Sequence, residues 1–95
     1  MQGIAQVVSQ SEPLANLARR LQASNDRLRA IAPLLPPAMR AHVQAGPIDD
    51  DAWVLLAANQ AVSAKLRQML PALQARLLQQ GWAGPAITVR LAPRG

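Results

Sequence analysis

Apolar side chains recur at helical spacing through the first third of the chain. Leucine or isoleucine occupies six positions that lie three, four or seven residues apart: Leu14, Leu17, Leu21, Leu28, Ile31 and Leu35. This period predicts an amphipathic helix with one face toward a core. The Ser-Glu-Pro run at residues 11–13 predicts its start, because a serine cap, an acid and a proline are favoured in the first turn. Because residues 24–26 are polar, this segment is either two short helices or one long helix. The prolines at positions 33, 36 and 37 predict where it ends.

The middle and the end of the chain carry strand patterns. Residues 39–45 alternate between apolar and polar side chains, which predicts a half-exposed strand. Turn-forming residues at 46–51 predict a hairpin, and the nearly all-apolar run at 52–58 predicts a second strand, central in the sheet or covered on both faces. Ile87, Val89 and Leu91 alternate with Thr88 and Arg90, which predicts a last strand.

A second helix is predicted between the last two strands. Asn59 is expected to cap it, and Gly81 is expected to end it in the left-handed conformation. Pro71 is expected to kink this helix or to start a new one, which divides it into about 60–70 and 71–80. The buried stripe is expected to contain Val62, Leu66, Met69, Leu70, Leu73 and Leu77.

The order helix, strand, strand, kinked helix, strand predicts an α+β fold. We expect a two-layer sandwich, with the helices on one face of a three-stranded sheet. The helical crossover places the third strand parallel to the second. A chain of 95 residues suits one domain. We expect an N-terminal arm at residues 1–10, the domain at 11–92 and a short tail at 93–95.

Composition limits which side chains can build the core and in which compartment the protein is expected to work. The chain is 51% hydrophobic but only 2% aromatic, so Trp53 and Trp82 are its only large rings. We expect both to be buried, with Trp82 packed on the last helical turn, although Trp53 also suits a protein interface. The absence of cysteine excludes disulfides and thiolate chemistry. No apolar run approaches the ~20 residues of a membrane span, so we expect a cytoplasmic protein without membrane contact.

One segment carries a family resemblance. Residues 56–71 read Leu-Ala-Ala-Asn-Gln-Ala-Val-Ser-Ala-Lys-Leu-Arg-Gln-Met-Leu-Pro and follow a Leu-Leu-Pro run at 34–36 and the predicted hairpin. With the order of elements over about 14–91, this resembles the bacterial DciA family, formerly domain of unknown function 721. The resemblance implies a K-homology-like (KH-like) domain that associates with DNA and with the replicative helicase DnaB. The Gly-Xaa-Xaa-Gly loop of nucleic-acid-binding KH domains is replaced by Met-Leu-Pro-Ala at 69–72.

The charge balance points to an anionic partner. Net charge is +5, and arginine, which supplies nine of the cations, suits phosphate. A basic small domain favours nucleic acid or an acidic protein surface, although a GC-rich genome, which encodes alanine and arginine often, gives the same composition. We expect Arg40 and Arg90 to share the open face of the sheet. The candidate nucleic-acid-binding residues are Arg19, Arg20, Arg27, Arg29, Arg40, Lys65, Arg67 and Arg90.

No arrangement of residues predicts catalysis or a metal site. His42, the only histidine, is expected on the polar face of a strand without a second ligand. The three aspartates at 49–51 lack the spacing of a calcium loop and are expected in a solvated turn. We therefore expect a non-enzymatic domain without cofactors that binds single- or double-stranded DNA electrostatically, because no phenylalanine or tyrosine offers a stacking platform. The alternative is a protein–protein interaction module or homodimer without nucleic-acid binding.

Overall fold

The chain folds into helices packed on a three-stranded mixed sheet, which confirms the predicted α+β class. The computed structural model describes residues 12–82 and 84–93, so the predicted arm at 1–10 and the last two residues of the predicted tail lie outside the described residues. The elements are α1 (Glu12–Ile31), a 3-10 helix (Ala32–Leu34), α2 (Pro37–Arg40), β1 (Val43–Ile48), β2 (Ala52–Ala57), α3 (Gln60–Gln79) and β3 (Ala86–Leu91).

The sheet has the order β1-β2-β3, with β2 at its centre. β1 pairs antiparallel with β2, and β3 pairs parallel with β2, as the helical crossover predicts. The register of β1 shifts between Ala45 and Ile48. Glycine is needed in this bulge, because a Cβ atom on Gly46 would lie 2.8 Å from the carbonyl oxygen of Val54.

The first strand lies further along the chain than its alternation predicts. Pro37 starts the short helix α2, a position where proline's fixed φ is favourable and its missing N–H is not needed. The strand predicted at 39–45 is therefore wrong at its start, and β1 begins at Val43. Gly46 and Pro47, predicted in the turn, lie in the strand. His42 lies exposed in the turn before β1, and its predicted place on a strand face is wrong.

Helix α1 is a single helix across its polar residues. Ser24 is buried in it, and the Nε1–H of Trp53 donates to Ser24 Oγ at 2.8 Å. Ser24 Oγ in turn donates to the carbonyl oxygen of Gly46 at 2.6 Å. The polar interruption thus joins α1 to the central strand and to the edge strand, and Trp53 is buried as predicted.

Helix α3 runs through Pro71 without interruption, so the predicted division into 60–70 and 71–80 is wrong. Pro71 is exposed, so water can reach the carbonyl group that its missing N–H leaves unbonded. The core stripe continues on both sides of it, with Leu66 and Leu73 fully buried. Both predicted ends are confirmed. Asn59 Oδ1 accepts from the Val62 N–H at 2.9 Å, and Gly81 has a φ of 87°.

The core lies between the long helices and one face of the sheet. Trp53, Leu55 and Ala57 of β2 are buried on this face, and the alternate residues of the strand are half-buried on the other. Ile31 of α1 and Leu66 of α3 are fully buried in the same cluster. None of the described helices has the length and apolar character needed to cross a bilayer.

Candidate nucleic-acid interface

Three of the predicted arginines line one cleft. Arg19, Arg20 and Arg27 project from α1, and the wall also includes Asn16 and Ala23 of that helix. Spacings of three, four and seven or eight residues place such side chains on one side of a helix. Asp49 and Asp50 of the β1–β2 turn, Ile48, Gly84 and Pro85 complete the lining. The cleft has a volume of about 600 Å³, and we call it the arginine cleft.

Two contacts fix the side chain of Arg27 in the arginine cleft. Its Nη1–H donates to the carbonyl oxygen of Ala23 at 3.2 Å, and its guanidinium carbon lies 5.2 Å from the ring centroid of Trp82. A cation over an indole face at this distance is attracted by the ring quadrupole. Arg19 donates to the side-chain oxygen of Asn16, one turn earlier. Arg19 and Arg20 are both exposed.

Trp82 closes the end of α3 and supports the cleft. Its backbone N–H donates to the carbonyl oxygen of Leu77 at 3.0 Å. This bond and the left-handed Gly81 together form a C-terminal cap. The half-buried ring packs against the core, as predicted. Its contact with Arg27 was not predicted, because 55 positions separate the two residues and no local pattern connects them.

The acidic turn on the other side of the cleft is held by its own backbone. The Asp49 carboxylate accepts from the backbone N–H groups of Ala52 and Asp51, each at 2.8 Å. Mainly these two bonds, with a smaller contribution from the charge of Arg20, hold the pKa of Asp49 below its usual value of 3.8. The cleft therefore has an arginine wall that faces fixed negative charge, and the predicted turn at 49–51 is confirmed.

Two predicted cations serve local structure instead. Arg29 forms an ion pair of 2.6 Å with Asp26, one turn earlier on α1. The Arg40 Nε–H donates to the carbonyl oxygens of Ala32 and Leu35, at 3.0 and 3.2 Å. Because Arg40 lies in α2 rather than in a strand, its predicted place on the open face of the sheet is wrong.

The remaining predicted cations lie apart from the arginine cleft. Arg90 is exposed on β3, beside Leu56 of β2 on the open face. Lys65 and Arg67 are exposed on α3, and two helical positions place them about 200° apart around its axis. Arg76, which the sequence did not single out, donates through Nε to the carbonyl oxygen of Ala30 at 3.0 Å and so links the long helices.

Within residues 12–82 and 84–93, no group of three or more histidine or acidic side chains is placed to hold a metal ion. The chain matches no protein-family model, and the search of curated proteins gives no match.

Proposed function

We propose that this chain is a non-enzymatic domain that binds nucleic acid through the arginine wall of the arginine cleft, formed by side chains of α1. The observation that carries the proposal is the convergence of Arg19, Arg20 and Arg27 on one cavity. Positions 19 and 27 are about 12 Å apart along the helix axis. One strand of DNA carries a phosphate about every 3.4 Å of duplex axis, so this row of guanidinium groups spans three or four phosphates.

The binding is electrostatic and tolerant of sequence. Trp53 is buried, and the ring of Trp82 is occupied by Arg27 on one face, so neither indole offers a free platform for a base. Three phosphate contacts give a log–log salt slope of about −2 for single strands and about −3 for duplex DNA. Affinity then falls by about 20- to 40-fold between roughly 50 and 200 mM salt.

The resemblance to the DciA family extends the proposal to a KH-like domain that works with the replicative helicase DnaB in DNA replication. The sequence run at 56–71 supports this extension. So does the element order helix, strand, strand, helix, strand, in which β3 is parallel to β2. Because α3 is continuous through 69–72, where other KH domains carry their glycine loop, we place the nucleic acid on α1 instead.

A protein–protein interaction module or homodimer is the second candidate function. The specific observation in its favour is an exposed leucine stripe on the first half of α1, formed by Leu14, Leu17 and Leu21. An apolar interface changes little with salt, whereas three phosphate contacts lose about 20- to 40-fold in affinity between roughly 50 and 200 mM salt. Salt dependence therefore separates the two functions.

Two matched double variants test the proposal. Arg19→Gln/Arg27→Gln removes two charges from the arginine cleft, and Lys65→Gln/Arg67→Gln removes two charges from α3. Fluorescence anisotropy with labelled single-stranded and duplex DNA, at about 50 and 200 mM salt, gives the slope for each protein. We expect the cleft variant to reduce the duplex slope from about −3 to about −1, and the α3 variant to leave it unchanged.

Circular dichroism of both variants checks that they are folded. Equal loss of affinity in the two variants would show that net charge, rather than the cleft, attracts the DNA. Absence of binding by the unmodified protein at the lower salt would overturn the proposal.

A further inference from the structure

A second concave surface lies beside the arginine cleft and is mostly apolar. Its sides are Leu17 and Leu21 of α1, the bulged segment of β1 from Ala45 to Ile48, and Leu56 of β2. Arg20 is the single charged residue in its lining. The volume is about 350 Å³, and we call this surface the leucine groove. The acidic turn lines the arginine cleft and does not line the leucine groove.

The leucine groove is open because the first half of α1 lies outside the core. The buried positions described for this helix begin at Ser24. Leu14, Leu17 and Leu21 are 68%, 53% and 56% exposed. Clustered exposed apolar side chains of this kind mark interaction sites.

The charges around the groove indicate its occupant. Arg20 lies in the lining, and Arg90 lies next to Leu56 as its pairing partner in β3. No acidic residue of the described part of the chain lines the groove. An apolar floor with cationic flanks is complementary to an amphipathic helix that has leucine on one face and carboxylates beside it. A second copy of this chain carries the same +5 charge and is repelled.

We propose that the leucine groove is the docking site for an acidic amphipathic helix of a partner protein. The partner helix places apolar residues at spacings of three, four and seven positions against Leu17, Leu21 and Leu56. Its glutamate or aspartate residues face Arg20 and Arg90. This interaction is additional to nucleic-acid binding, because the two surfaces share only Arg20 and Ile48 and Arg20 is their one shared charge.

The probe for this docking site is a fluorescein-labelled amphipathic peptide of about four helical turns, with leucine along one face and glutamate on both flanks. A second peptide carries lysine in place of every glutamate, and a third has the same composition with the leucines scattered around the helix. We expect the acidic peptide to bind and the other two to bind at least tenfold more weakly. Equal binding of the acidic and basic peptides, or no binding of the acidic one, would overturn the proposal.

A matched pair of variants locates the binding. Leu17→Ser/Leu21→Ser removes the two leucines that α1 contributes to the groove. Leu78→Ser changes a leucine on α3 that is 63% exposed and lies outside the groove. We expect the groove variant to lose at least tenfold in affinity for the acidic peptide and the Leu78 variant to stay within twofold. Equal losses would contradict the assignment.

Two further readouts separate this proposal from its rivals. DNA affinity of the groove variant should equal that of the unmodified protein, so failure of the peptide assay leaves the arginine cleft to be judged on its own. Analytical ultracentrifugation of the unmodified protein should give a monomer. A dimer that the groove variant dissociates would identify the occupant as a second copy and would overturn the partner-helix proposal.

Discussion

The two long helices have the same length and the same leucine period, yet they are used differently. Each has 20 residues. Helix α3 has one face buried along its whole length, from Val62 near its start to Leu77 near its end. Among the positions of α1 whose burial is described, the buried ones begin at Ser24, and its first half exposes three leucines. Helix α3 completes the core, whereas α1 lies half in the core and half on the surface.

The difference lies in how each helix meets the sheet. Helix α3 connects two neighbouring parallel strands, so it must return along them and packs on β2 and β3 over its length. Helix α1 is fixed at Ser24, where it meets β1 and Trp53, and extends beyond the edge from there. The half that extends carries Arg19 and Arg20 of the arginine cleft and the leucines of the leucine groove, and Arg27 of the cleft lies about one turn beyond Ser24. Hydrophobic period alone therefore does not separate a core helix from a binding helix.

The largest effect that tests this comparison comes from paired leucine truncations. Leu66→Ala removes a fully buried side chain of α3 and should lower the free energy of unfolding by about 2–5 kcal/mol. Leu21→Ala, on the exposed half of α1, should change it by no more than about 0.5 kcal/mol. Urea denaturation of the two variants measures both values. Comparable losses would show that the first half of α1 packs as tightly as α3 does.

A smaller effect is expected where α1 passes from surface to core. Ser24→Ala removes the hydroxyl that accepts from the Trp53 indole and donates to Gly46, so the buried indole N–H and the part-buried carbonyl of Gly46 each lose a partner. We expect a loss of about 1–3 kcal/mol in the free energy of unfolding. Asn25→Ala, at the adjacent exposed position, is the control and should change it by less than about 0.5 kcal/mol. A neutral Ser24 variant would mean that this bond does not fix the crossing point.

The smallest effect concerns the turn that faces the exposed half of α1 across the cleft. The folded-state pKa of Asp49 is lowered, so its carboxylate stabilises the fold at pH values above its usual pKa of 3.8. That contribution disappears as pH falls through the lowered pKa. Asp49→Asn should therefore lower Tm slightly at neutral pH, and the difference from the unmodified protein should vanish in strong acid. A difference that persists in acid would contradict the role of the charge.

The sequence predicted best where local chemistry and packing agree. Asn59 and Gly81 lie at the two ends of α3 as expected, because a side-chain cap and a left-handed glycine act within one turn of the backbone. The apolar run of β2 and the alternation of β3 also gave correct strands. The burial of Trp53 followed from the shortage of other large side chains for a core.

The errors arose where a local signal competed with another local signal or with core packing. Residues 39–45 alternate like a strand, but Pro37 favours a helical first turn, and the helix forms. Pro71 favours a break, but core contacts on both sides keep α3 continuous. The site itself depends on long-range placement. Arg29 and Arg40 resemble the cleft arginines in sequence, and only the fold assigns them to an ion pair and to backbone carbonyls.

The central claim is that α1, rather than α3, is the binding helix. Its most direct test is a titration of ¹⁵N-labelled protein with a single-stranded oligonucleotide at about 50 mM salt, followed by amide chemical shifts. We expect shifts concentrated at residues 16–27 and at Gly84, with α3 largely unaffected around Lys65 and Arg67. Shifts concentrated on α3, with the arginine cleft unaffected, would contradict it.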